Sequence, residues 1–219
     1  MTIVSTAPSV QSDALSLIEE FGGSSANNVE MMIGVGLAKD TEAVFFQYLG
    51  DEQKQAIMLP SGKPLTQMKA VQFTGISIAE EVGEFKSVKL NVFLTTNQGR
   101  TALITSGLTT IWSQCVLTGL MAVFNQTQLP ATITLDSWYG TSRNRPAFAA
   151  IRFNNQKMSD NDLYEQLKDS RNDGDKARLE TICRDCVSIL AHALGTDQPV
   201  QDAQVFEVDI PQIAVTANV

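Results

Sequence analysis

Residues 88–95 alternate without a fault. Val88, Leu90, Val92 and Leu94 fall on one side, and Lys89, Asn91, Phe93 and Thr95 on the other. A period of two predicts a strand with one face in a core. Just upstream, "VQFTGISI" (71–78) alternates, skips a beat at Gly75 and resumes with Ile76 and Ile78. A glycine at a phase slip predicts a bulge or sharp bend. "TNQG" (96–99) has hairpin-turn chemistry, so residues 100–105 return as a third strand. From Thr110 the period changes. Ile111, Trp112, Cys115, Val116, Leu120, Val123 and Phe124 share one helical face, with Thr109 or Thr110 available to cap it. Trp112 is expected to be a core plug. Gly119 lies inside this helix, where glycine costs roughly 1 kcal/mol relative to alanine. Close approach of another backbone would explain it. "ATITLDSWYG" (131–140) and "PAFAAIRF" (146–153) add two strands, joined by "TSRNR".

The flanks read differently. Residues 12–21 suggest a short helix, and "GGSSANN" (22–28) a linker. The apolar runs at 31–37 and 43–49 predict a hairpin, and 56–59 a short further strand. After Asn154 the chain becomes polar, with Leu163, Leu167, Leu179, Ile182, Cys183, Cys186, Ile189, Leu190 and Leu194 at helical spacing. Ser159 or Asp160 can cap the first of two helices, "NDGD" interrupts them, and Gly195 closes the second. "QVFEVDI" (204–210) could add a strand. The expected organisation is a flexible or helical N-terminus (1–28), a β-hairpin extension (29–68), a β-rich core (69–153), a helical appendage (154–195) and an acidic tail (196–219).

From residue 69 to 153 the order is strand, strand, strand, helix, strand, strand. This is the order of the OB-fold, a small, partly open Greek-key barrel. The bulged "VQFTGISI", the paired "VKLNVFLTTNQGRTALIT", the helix "TTIWSQCVLTGLMAVF" and the strands "ATITLDSWYG" and "PAFAAIRF" together resemble the core of OB-fold single-stranded DNA-binding proteins. The resemblance rests on order and pattern over somewhat more than a third of the chain. It implies a mainly β fold with a helix plugging the barrel, single-stranded DNA or RNA as ligand, and protein partners recruited through an acidic C-terminal tail. "EVDIPQI" (207–213) is similar to that family's tail tip, but it is not terminal, and Gln212 stands where an aromatic would be.

Such a face needs flat side chains for base stacking and cations for phosphates. Phe93, Trp138 and Phe148 fall outside the core phase of their strands and are the expected stacking residues. Lys89, Arg143, Arg145 and Arg152 are the expected phosphate contacts. The competing reading is that these aromatics pack beneath the flanking hairpin or helices, or in a subunit interface. The protein would then be an interaction or assembly module with no nucleic acid.

The net charge of −8 speaks against a nucleic-acid partner, but the charge is uneven. Residues 1–30 carry Asp13, Glu19, Glu20 and Glu30 without a Lys or Arg, and 195–219 carry Asp197, Asp202, Glu207 and Asp209 without one. Residues 69–153 hold Lys69, Lys86, Lys89, Arg100, Arg143, Arg145 and Arg152 against Glu80, Glu81, Glu84 and Asp136. A mildly basic middle therefore lies between acidic ends. No apolar run is long enough to span a bilayer, and the start lacks a leader pattern. Three cysteines fit a reducing compartment. A cytoplasmic, oligomeric protein is expected.

Catalytic signals are thin. "CRDC" (183–186) sits on an apolar helical stripe and lacks the further ligands zinc needs. A single histidine, His192, removes most Ser-His and His-metal schemes. Glu80, Glu81 and Glu84 read as a solvated loop, and "GVGLAKD" (34–40) lacks the end of a phosphate loop. No catalytic residue, metal or cofactor is expected.

Overall fold

The strand that carries the glycine slip organises the molecule. The structure, a computed structural model, describes residues 29–36, 42–49, 53–82 and 86–196. The strands are β1 (Val29–Val35), β2 (Phe45–Leu49), β3 (Gln53–Ala56), β4 (Gln67–Val82), β5 (Ser87–Thr95), β6 (Thr101–Gly107), β7 (Ala131–Tyr139), β8 (Ala147–Phe153) and β9 (Gln156–Met158). The helices are α1 (Ile111–Phe124), α2 (Asn161–Asn172) and α3 (Lys176–Ala193). The nine strands form one mixed sheet in the order β3-β2-β1-β6-β5-β4-β7-β8-β9. The first half of β4 pairs with β7 and the second half with β5, the two overlapping only at Gln72 and Phe73. The register slips between Phe73 and Gly75, where the sequence pattern skips. A second slip, between Met68 and Val71, faces β7.

The chain is mainly β with helices, as its pattern predicts, but the sheet is not a closed barrel among the described residues. Its ends are β3 and β9. β6 has β1 as its second neighbour, in parallel, with Met32 opposite Leu103 and Ile33 opposite Ile104. The N-terminal hairpin therefore continues the same sheet. Strong curling brings the far end of β7 back to that hairpin, where Tyr139 Oη donates to the Ala43 carbonyl at 3.4 Å.

The alternation of β5 puts Leu90, Val92 and Leu94 into the core. Thr95, on the opposite phase, is also buried. Its hydroxyl is satisfied by Thr74 at 2.9 Å and Thr101 at 3.2 Å, which removes the desolvation cost of an unpaired hydroxyl. The β6–α1 junction is short because its polar groups are paired. Leu108 donates its N–H to Val88, Thr110 donates its N–H to Gly107, and Thr110 caps the helix by accepting from the Ser113 N–H. Such a cap contributes about 1 kcal/mol.

α1 is buried on more than its expected face. Leu117, Ser113 and Thr118 are as enclosed as Trp112, Val116 and Leu120. The reason is a second layer. Asp160 N–H bonds the Thr118 carbonyl at 3.0 Å, and Arg171 donates to Gln114 Oε1 at 2.9 Å. Asp160 caps α2, Gly174 (φ +72°) lies in the break before α3, and Gly195 (φ +68°) closes α3. α3 also reaches the sheet, where Arg184 grips Glu80 at 2.5 and 3.1 Å. Glu80 thus belongs to β4 and an ion pair rather than to a loop, and the Arg184 hydrogen bonds hold its carboxyl below the usual range.

Two further expectations shift. The third hairpin strand is β3, at 53–56, rather than 56–59. β9 is an addition, made by a two-residue turn at Asn154 and Asn155, both at positive φ. The expected helix at 12–21, the linker at 22–28, "QVFEVDI" and the acidic residues of the tail lie outside the described residues.

Candidate nucleic-acid interface

The core contacts of the helices leave one sheet face without a helix among the described residues. Trp112 Nε1 donates to Ser137 Oγ at 3.0 Å, and Ile151 lies against Gly119 of α1. Residues 137 and 151 mark the helix-facing phase of β7 and β8, so their neighbours face away. There Trp138 is paired with Phe148 across the strands. The rings stack, with centroids 6.0 Å apart and planes 14° from parallel. Trp138 is 42% exposed. Phe148 is half-buried because its ring lies over Gly140, where a Cβ would come within 2.7 Å of the Phe148 ring.

The cations are less available than their number suggests. Arg145 Nη2 is 2.7 Å from Glu42 Oε1, and its guanidinium lies 5.2 Å from the centre of the Tyr139 ring. It latches the β7–β8 loop to the segment that leads into β2. Arg152 Nε bonds Asp136 Oδ2 at 2.5 Å, and the other oxygen of Asp136 takes the Gln67 amide. Arg143 is exposed in the β7–β8 loop and Lys89 is half-buried on β5. Neither makes an ion pair with the described residues.

Two lysines join this face that the sequence pattern does not single out. Lys157 on β9 is the cross-strand partner of Arg152, which is the partner of Thr134. Ala70, in the β4 bulge, reaches Thr134 Oγ1 with its N–H at 3.5 Å, which places the neighbouring, exposed Lys69 at the same level. A depression of about 450 Å³ opens beside Arg152, lined in part by Thr132, Thr134, Gln128, Asn154 and Asn155. The signal for Lys157 is the pair Asn154-Asn155 directly after an apolar strand run, which is hairpin chemistry.

The seven expected site residues form two groups. Trp138, Phe148, Arg143, Arg145 and Arg152 share the β7–β8 end. Phe93 and Lys89 lie elsewhere, with Phe93 opposite Gly75 and Leu103. Asp136 is level with Gln67, so Trp138 and Phe93 are separated by about ten residues of β4, roughly 30 Å of strand at ~3.3 Å per residue. Phe93 packs on Gly75, where a Cβ would lie 3.0 Å from its ring. With Leu103 and Met32 it forms an apolar row across four strands.

Cys183 and Cys186 are buried core residues. Burial pushes the Cys183 thiol up to about 12 and the Cys186 thiol up to about 11, from an ordinary 9. Burial also raises Cys115. No group of acids, histidines and cysteines suited to a metal ion occurs among the described residues. Native protein at pH 8 is therefore expected to react slowly with a thiol-specific chromogenic reagent, and all three thiols to react once it is unfolded. Rapid native labelling of Cys183 or Cys186 would contradict their burial. Above pH 9 the unfolded chain loses thiol protons that the folded chain retains, so stability falls as pH rises from about 9 towards 12.

No family model, curated protein or solved structure matches this chain.

Proposed function

We propose that the protein binds single-stranded nucleic acid, DNA before RNA, on the helix-free face of its sheet, without catalysis. We further propose that β4 to β8 with α1 form an OB-like Greek-key unit, opened at the edge where β1 adds to β6. The spatial run β6-β5-β4-β7-β8, the helix between β6 and β7, and the bent β4 shared by two partners support that reading. The observation that carries the function is the stacked, solvent-facing Trp138–Phe148 pair, with Arg143 on one side and Arg152 and Lys157 on the other. Each base stacked on an aromatic ring contributes about 1–3 kcal/mol, and lysines follow the backbone.

One of the two tryptophans is buried and the other faces solvent, so quenching of emission reports on the face. Titration with a single-stranded oligonucleotide at low salt should quench Trp138, and Trp138→Ala should weaken binding about tenfold. About three phosphate contacts, at the exposed Arg143, Lys157 and Lys69, should give a slope near −2 in a plot of log affinity against log salt. Absence of quenching at low salt, with full affinity retained in Trp138→Ala, would sink the reading. A second reading, an assembly module, draws on the row Met32–Leu103–Phe93. It predicts self-association that Met32→Lys abolishes and oligonucleotides leave unchanged.

A further inference from the structure

We infer that Arg152 reads base edges rather than phosphates, and that the face prefers strands containing guanine or cytosine over those of adenine and thymine alone. This rests on the single-strand reading above. Arg152 is 44% exposed and its Nε is held by Asp136 Oδ2 at 2.5 Å. Asp136 is itself fixed, since its second oxygen takes the Gln67 amide. Two consequences follow. The carboxylate offsets the guanidinium charge and repels an approaching phosphate, so Coulomb attraction to the backbone is weak at this point. The same carboxylate fixes the plane of the guanidinium, whose two Nη groups have no partner among the described residues. A fixed fork with little net charge suits a neutral pair of adjacent acceptors.

Few base edges offer one. Guanine presents O6 and N7 side by side, and cytosine O2 and N3. Adenine and thymine place a donor beside each acceptor along those edges. The surroundings fit a base. The depression of about 450 Å³ beside Arg152 is at the small end of ligand clefts. Thr132, Thr134, Gln128, Asn154 and Asn155 supply neutral hydroxyls and amides there. Trp138 lies four residues along β7 from Thr134, the partner of Arg152, or roughly 13 Å at ~3.3 Å per residue. A strand stacked on Trp138 can thus continue over this point. Lys157 and Lys69, which have no acid partner among the described residues, are left to contact phosphates.

The test compares (dT-dG)6 with (dT-dA)6, and dC12 with dT12, by tryptophan quenching on the full chain. The (dT-dG)6 and dC12 strands should bind about tenfold more tightly than their counterparts, as one bidentate pair allows. Arg152→Lys keeps a cation and loses the fork, so both ratios should fall to within twofold of one. Asp136→Asn releases the guanidinium. It should raise affinity for every strand at low salt, steepen the salt slope by about 0.7, and lower both ratios. Equal affinities for all four strands in the unmodified protein, or ratios that survive Arg152→Lys, would overturn the inference while leaving single-strand binding intact. Absence of quenching by any strand would overturn both.

Discussion

Replacing Trp112 with alanine is expected to lower the unfolding free energy by about 3–5 kcal/mol, the range for deleting a large buried aromatic. Trp112 is the largest fully buried side chain among the described residues. It enters the core one residue past the start of α1, and its indole N–H is satisfied by Ser137 at 3.0 Å. Alanine would leave a void between helix and sheet and strand the Ser137 hydroxyl in an apolar surround. Trp112→Phe keeps most of the volume but loses the hydrogen bond and part of the ring, so about 1–2 kcal/mol is expected. Urea melts followed by far-ultraviolet circular dichroism measure both. A loss below 1 kcal/mol for the alanine variant would mean that α1 is not anchored to β7 through this ring.

Gly119→Val is the second large effect, and its sign runs against helix propensity. In an exposed helix interior, replacing glycine by a residue with a side chain gains up to about 1 kcal/mol. Here a Cβ would lie 2.6 and 2.7 Å from Ile151 side-chain carbons and 3.5 Å from the Ile151 backbone nitrogen. Neither α1 nor β8 can retreat. α1 is pressed from behind by α2 and α3, and β8 is paired with both β7 and β9. Overpacking should outweigh the propensity gain, giving a net loss of about 3 kcal/mol. Ile151→Gly, which removes both of those carbons and is destabilising alone, should cost much less in the Gly119→Val background. The coupling in that double-mutant cycle is the measurement. Additive losses would place the strain elsewhere.

Features with a short sequence range were legible. The β5 alternation, the Gly75 slip and the Thr110 cap each depend on neighbours within one element, and Gly119 marks a close approach by its missing side chain, although what meets it is the Ile151 side chain rather than a backbone. Features that depend on distant partners were not. The parallel pairing of β1 with β6 leaves no local period. Arg145 and Arg152 read as available cations because Glu42 is 103 residues from Arg145 and Asp136 sits across a hairpin from Arg152. The same strand phases that put Trp138 and Phe148 side by side gave no sign that Phe93 would lie at another level. That difference is set by the two halves of β4, which serve different partners through different registers.

The parallel seam between β1 and β6 also orders events in time. The partners of β1 in that seam are residues 101–105, which leave the ribosome only after β2 to β5 have been made. The meander β4-β5-β6 needs only short closures, whereas the seam must wait for a long one. The first described strand to be synthesised is thus among the last to find that partner. Until it docks, one edge of β6 stays open to any other chain.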